Sequence, residues 1–308
     1  MAANQTGAMS VVDAVAKANE LYAARRWAEL EGLVNAILGS VADPVPLPTK
    51  SASYYARQLL IESVYRQGRI EEAVTRFGEL LSLTAERLPA EFEALYLDGL
   101  RRTGTLPLPL ARMPRQFALV RLFEGTPAPT GAVAECGCFR GMSSYLLCGA
   151  TRWHRPDFRG EDYHVFDSFA GLSAPGAKDA VAASDAQSER VRGMTTAGAF
   201  AASLDDVRRN LAEFPAIEFH PGWLPESLAG AAERTYRFVH LDVDLHAPTA
   251  GALAYFHPRL APGGRIVCDD YSWPGARQAI DEFAADAGIR INTTPAGQAW
   301  LERERDAA

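Results

Sequence analysis

The sequence predicts a two-part molecule: an all-α amino-terminal domain followed by an α/β domain built on a mostly parallel sheet. Three observations carry this reading. Residues 11–100 repeat apolar side chains at three- and four-residue steps, with almost no β-branched runs. A proline-bearing stretch, TGTLPLPLARMPRQ at 103–116, then interrupts the pattern. Beyond it, short apolar or β-branched segments alternate with helical ones, as in a parallel sheet covered on both faces. The expected domains are residues 1–105 and 106–308, and a chain of 308 residues fits this division at roughly 150 residues per domain.

The first half reads as helical hairpins. VVDAVAKANELYAARRWAELEGLVNAIL forms one, a break at DPVPLPTKS follows, and SYYARQLLIESVYRQGRIEEAVTRFGELLSL forms the next, with Gly68 at its turn. Displaced by 43 positions, Tyr22, Arg26, Trp27 and Val34 fall on Tyr65, Arg69, Ile70 and Phe77, a weak internal repeat. Gly68, Ala73 and Phe77 stand at the offsets of a tetratricopeptide hairpin. Two such units are fewer than a free-standing solenoid needs, so this layer is expected to pack on a neighbour or a second subunit, giving a homo-oligomer.

In the second half the strand candidates are GAVAEC, HVFDSF, IEFHPG, RFVHLDVD and GGRIVCDD. Ligands of such sheets bind at the carboxyl ends of the strands. The first strand ends at Glu135, and a turn from Gly137 to Gly141 opens a helix rich in small residues. Its spacing differs from both the dinucleotide and the phosphate-loop glycine patterns, and no lysine follows for a phosphate. A cofactor without phosphate, S-adenosylmethionine among them, fits better than a nucleotide; a plain strand-to-helix turn is the alternative. The next strand ends in Asp167, placed to accept hydrogen bonds from ribose hydroxyls or to cap a turn. Residues 171–203 are small and polar and read as a lid.

Asp242 and Asp244 end one strand, and Asp269 and Asp270 end the following one. Were the two strands adjacent, four carboxylates would converge, which like-charge repulsion disfavours unless a cation or proton intervenes. Oxygen donors without a cysteine or histidine pair point to a hard divalent ion, Mg²⁺ first, with solvated turn carboxylates as the alternative. His220, His240 and His257 read as structural. Cys136, Cys138, Cys148 and Cys268 lack zinc-site spacing and read as buried free thiols.

The formal net charge is −7, with 48% hydrophobic and 22% charged residues. That balance disfavours nucleic acid and anionic membranes as partners. No apolar run approaches the length of a membrane span, about 20 residues, and the opening MAANQTGAMS lacks a signal-peptide layout; a cytoplasmic protein is expected.

Together, AECGCFRGMSSYLL, HVFDSFAGL, FHPGWLPESL and HLDVDLHAPTAGALAYFHPRLAPGGRIVCDDYSWPGARQAIDEF resemble the macrocin O-methyltransferase family over roughly residues 110–302. The resemblance implies a Rossmann-like class I methyltransferase fold and Mg²⁺-dependent transfer of a methyl group from S-adenosylmethionine to a sugar hydroxyl of a natural product. It puts Glu135, Gly137, Gly141 and Ser143 at the methionine end of the cofactor and Asp167 at the ribose. Ser168, Gly222 and Trp223 match other cofactor-proximal positions. Asp242, Asp269 and Asp270 match the metal ligands, Asp242 also the general base, and Asp244 an acidic neighbour. Where family members carry a tyrosine and a Ser-Thr pair, this chain reads His246-Ala247-Pro248-Thr249, making His246 a second candidate base or substrate contact. The acceptor is expected to be a small glycosylated molecule; a carrier- or peptide-bound acceptor recruited by the helical front is the other option. A non-catalytic scaffold would have no need of clustered carboxylates, and an NAD-dependent oxidoreductase would need the missing pyrophosphate turn.

Overall fold

A computed structural model describes residues 11–40, 44–85, 87–106, 112–179, 196–230 and 233–305. Part of the expected lid, 180–195, and the junction residues 107–111 lie outside the described residues. The chain forms two compact units, Met1–Arg112 and Met113–Ala308.

The first unit holds α1 (Val11–Ala23), α2 (Trp27–Gly39), α3 (Ala52–Arg66), α4 (Ile70–Leu83) and α5 (Ala90–Thr103). Each packs on the next, and α1 also reaches α3. The displaced repeat is visible in the backbone. Arg25 and Gly68 both take left-handed conformations, with φ of 54° and 80°. Arg26 and Arg69 then precede α2 and α4 with nearly equal dihedrals, and each guanidinium pairs three residues on, with Glu29 and Glu72. Leu30, Val34, Ala73 and Phe77 are fully buried, so the equivalent apolar stripes of α2 and α4 form the unit's interior.

The second unit begins within α6 (Arg112–Glu124) and is organised by a sheet of seven strands among the described residues, ordered β3-β2-β1-β4-β5-β7-β6. The five expected strands are β1 (Ala132–Cys136), β2 (Tyr163–Asp167), β3 (Glu218–Pro221), β4 (Tyr236–Leu241) and β5 (Leu260–Cys268), all parallel. Two further strands, β6 (Asn292–Thr293) and β7 (Ala299–Glu302), return antiparallel at the far edge. The helices α7 (Met142–Arg152), α8 (Leu204–Asn210), α9 (His246–Phe256) and α10 (Pro274–Ala287) connect them.

The central strands are buried along their length because helices leave neither face to water. Phe166, Tyr236, Val239, Phe256 and Ile266 belong to one apolar cluster, and fully burying a side chain of this size contributes about 1.5–3 kcal/mol each. All four cysteines are buried and free. No described helix is long and apolar enough to cross a membrane.

Candidate active site

The turn after β1 is shaped by Gly137. Its φ is +80°, and a Cβ there would sit 1.9 Å from the main-chain oxygen of Asp242, so only glycine lets the β1 and β4 tips approach this closely. Gly137 N–H donates to Phe166 O at 2.9 Å. Gly141, also left-handed, caps α7.

Glu135 is fully buried beneath this turn. Ser143 and Ser144 hydroxyls donate to its two oxygens, the Tyr163 hydroxyl is 3.2 Å away and His240 Nδ1 3.1 Å. Glu135 and Ser143, expected at the methionine end of a cofactor, bond to each other here and fix the start of α7 to the sheet.

At the β2 tip, Asp167 Oδ2 accepts from Cys138 N–H at 2.7 Å and Phe139 N–H at 3.3 Å, while Oδ1 accepts from Phe169 N–H at 2.7 Å. The carboxylate ties the glycine turn to the β2 tip, with lone-pair capacity left over. Ser168 Oγ and Trp223 Nε1 both donate to Gly171 O, at 2.6 and 3.0 Å. Gly222 N–H donates to Asp167 O at 2.9 Å. Asp167, Ser168, Gly222 and Trp223 are thus brought to one sheet edge, and the Trp223 ring is half exposed there.

The acidic residues do converge. Parallel pairing continues past the strand ends: Asp242 N–H donates to Cys136 O and Asp269 N–H to Leu241 O. Ligand atoms of Asp242, Asp244 and Asp270 lie within 4.8 Å of one another, as do those of His240, Asp242 and Asp269. Asp270 Oδ2 accepts from the Asp244 N–H at 2.9 Å, where Asp244 has φ of 57°. Asp269 is held on both sides, by Gln298 Nε2 at 2.7 Å on Oδ1 and by the Arg115 guanidinium at 2.6 Å on Oδ2; Arg115 is also 3.7 Å from Asp270 Oδ1.

The electrostatics follow from burial and crowding. Burial, then the charge of Asp269, pushes the Asp242 carboxyl up to about 8; the same causes take Asp244 to about 6. Asp270 is raised well above the carboxylate range by burial and by Asp244 and Asp242. Burial would raise Asp269 too, but His240 and Arg115 outweigh it and hold the carboxyl low. Burial alone would lower His240; the Asp269 and Glu135 carboxylates reverse this and raise the imidazole to about 10. Among the described residues its Nε2 has no hydrogen-bond partner, and it stands 3.8 Å from Asp269 Oδ1. A protonated His240 is no metal ligand. The all-oxygen set of Asp242, Asp244 and Asp270, crowded enough to retain protons by itself, is what a hard cation such as Mg²⁺ fits.

His246, expected as a second candidate base or substrate contact, opens the helix after β4. At the first position of α9, its Nε2 pairs with Glu282 Oε2 on α10 at 3.0 Å, not with the carboxylates, and Lys178 Nζ reaches the same oxygen. Sequence reasoning missed three residues of the site. Arg115 and Gln298 carry no spacing signal. His240 did carry one: it stands two residues before Asp242 on the same strand face.

A parallel sheet whose carboxyl edge joins a glycine turn, an acidic β2 tip and an antiparallel final strand pair defines the class I methyltransferase fold. Consistent with this, the chain superposes on the structure of the O-methyltransferase NovP with a TM-score of 0.51 and 26% identity, covering 68% of this chain and 88% of that one. Residues 121–296 match the macrocin-O-methyltransferase (TylF) family model, and the chain belongs to that family. It is 33% identical over 172 residues, 54% of its length, to the 8-demethyl-8-(2,3-dimethoxy-alpha-L-rhamnosyl)-tetracenomycin-C 4'-O-methyltransferase of Streptomyces olivaceus. It is 31% identical over 164 residues, 52% of its length, to the demethyldecarbamoylnovobiocin O-methyltransferase of Streptomyces niveus. The matched stretch spans 62% and 60% of those two proteins.

Proposed function

We propose that the protein is an S-adenosylmethionine-dependent O-methyltransferase that, with Mg²⁺, methylates a sugar hydroxyl of a small glycosylated natural product. The observation that carries the reading is the contact between the glycine turn and the acid cluster, where Gly137 packs on the Asp242 carbonyl. On this reading a methyl donor held at the turn lies beside a base at the β4 tip. The names of the relatives support the substrate class.

Asp167, Ser168, Gly222 and Trp223 are read as the nucleoside side of the donor site, and Gly137 and Gly141 as its methionine side. For the ion we read Asp242, Asp244 and Asp270 in place of the expected Asp242, Asp269 and Asp270, because both Asp269 oxygens are engaged by Arg115 and Gln298. Bound there, Mg²⁺ supplies positive charge that acidifies an acceptor hydroxyl. Asp242 takes the hydroxyl proton as the oxygen–carbon bond forms and the sulfur–carbon bond breaks, leaving S-adenosylhomocysteine. Alignment of the two reactants by the shared sheet edge contributes further.

The same reading makes the protein a cytoplasmic homodimer in which the helical unit, with its repeated turn at Arg25 and Gly68, acts as a tetratricopeptide-like accessory domain. Sedimentation equilibrium checks the assembly. For the reaction, the chain is incubated with methyl-labelled S-adenosylmethionine, Mg²⁺ and glycosylated acceptors lacking one O-methyl group. Label on a sugar oxygen, lost in chelator, is expected. Transfer that is indifferent to chelator refutes the role of the ion; no binding of S-adenosylhomocysteine refutes the reading as a whole.

A further inference from the structure

The edge of the sheet away from the acid cluster carries a second group of metal-binding side chains. β3 is the terminal strand, and its register on β2 sets His164 opposite Glu218 and Phe166 opposite His220. Side chains two apart on a strand share a face, so His164, Glu218 and His220 project to the same side. The His220 ring stacks on Phe166, with centroids 4.4 Å apart and planes within 11°, which fixes the direction of its Nε2. That nitrogen and His164 Nδ1 share a hydrogen bond of 3.1 Å, whose proton an ion would displace, and Glu218 Oε2 stands 3.6 Å from His164 Nδ1. All three ligand atoms lie within 4.8 Å of one another. His164 is fully buried while Glu218 is exposed, so the group is anchored at one end and open to solvent at the other. Burial lowers the basicity of both imidazoles, which leaves neutral ring nitrogens able to donate lone pairs.

We propose that His164, His220 and Glu218 form a second metal site, for a borderline divalent transition ion of the zinc class. Two imidazole nitrogens and one carboxylate oxygen are a donor set zinc takes while keeping a fourth position for water. The distances agree with it. With ligand bonds of roughly 2.0–2.1 Å, donors 3.1 and 3.6 Å apart subtend about 98° and about 120° at a shared ion, on either side of the tetrahedral angle. The competing cation is Arg234, whose guanidinium is 3.3 Å from Glu218 Oε2 and which gives up that carboxylate when the ion binds. His164 precedes Asp167 by three residues and His220 precedes Gly222 by two. The ion therefore clamps the edge strand to β2 directly below the loops that Gly171 ties together, a structural role separate from methyl transfer.

The test is calorimetric titration of zinc chloride into the full chain with Mg²⁺ saturating. One site per chain is expected, with affinity unchanged in Asp270→Asn, about 30-fold weaker or worse in His220→Ala, and about tenfold weaker in Glu218→Gln. Glu218 is exposed, so its variant guards against a folding defect. Cobalt(II) in the same site should give the strong visible bands of tetrahedral coordination, absent from His220→Ala. No zinc binding, or binding that Asp270→Asn abolishes and Glu218→Gln leaves intact, overturns the proposal.

Discussion

Replacing Arg115 with alanine leaves the acid cluster without its nearest guanidinium. The side chain stands 2.6 Å from Asp269 and 3.7 Å from Asp270, and at an effective dielectric near 20 the bare attraction is roughly 5 kcal/mol per contact. Most of that is offset by the cost of drawing the charges out of water; breaking one side of a buried pair costs about 3–5 kcal/mol net. Arg115 keeps 26% of its side-chain surface exposed, which favours the lower end, about 3 kcal/mol. For a unit of about 200 residues this is a fall of roughly 6–12 °C in melting temperature, read by calorimetry in chelator. Mg²⁺ should act in the opposite sense. With the guanidinium gone, the carboxylates bind the ion with less competition, so saturating Mg²⁺ restores more stability to Arg115→Ala than it adds to the parent. Melting within about 2 °C of the parent in chelator, or an equal response of both proteins to Mg²⁺, would refute this account of the cluster.

Three other outcomes follow from the site. Asp270→Ala should lose Mg²⁺-dependent turnover by at least about a hundredfold, while calorimetry finds S-adenosylhomocysteine affinity little changed; full activity of this variant in chelator would remove the metal assignment. Gly137→Ala forces a Cβ against the Asp242 carbonyl from a left-handed backbone, so denaturant unfolding should register a loss of about 3 kcal/mol, with turnover falling alongside. In metal-free protein, Asp242, Asp244 and His240 are all raised above their ordinary values, so at these three groups the folded state binds more protons than the unfolded chain. Their contribution is complete below the unfolded values and fades as pH climbs, for Asp244 up to about 6, for Asp242 up to about 8 and for His240 up to about 10. Burial lowers His164, His220 and His257 instead, a gain already complete once pH passes the ordinary histidine range, so melting temperature in chelator should fall from pH 7 to 9, and less steeply with Mg²⁺; a rise over that window would contradict the shifts.

The five parallel strands and the four aspartates were legible for one reason. When two parallel strands lie side by side, the residues just past their ends become neighbours, so Asp242 and Asp269 meet although a whole helix separates them in sequence. The returning pair β6 and β7 was not legible: its strands have two and four residues, interrupted by Pro295 and Gly297. Gln298 came with them. Arg115 stands on a helix 154 positions from Asp269, and nothing in a helical pattern marks the residue that turns to a distant carboxylate. His240 was read as structural because a lone histidine in an apolar strand usually is. What sets its role is the β1–β4 register, which puts it opposite Glu135, and register is a property of paired strands rather than of either one alone. His246 illustrates the converse: a histidine close in sequence to the aspartates bonded instead to the neighbouring helix.

The close approach of Gly137 to the Asp242 carbonyl bears on how such an enzyme diversifies. On the proposed function, that main-chain approach acts as a fixed caliper between the turn that holds the donor and the strand tip that carries the base, whichever side chains surround them. On that reading new acceptors are accommodated by altering the segment around His246, with the working distance inherited unchanged.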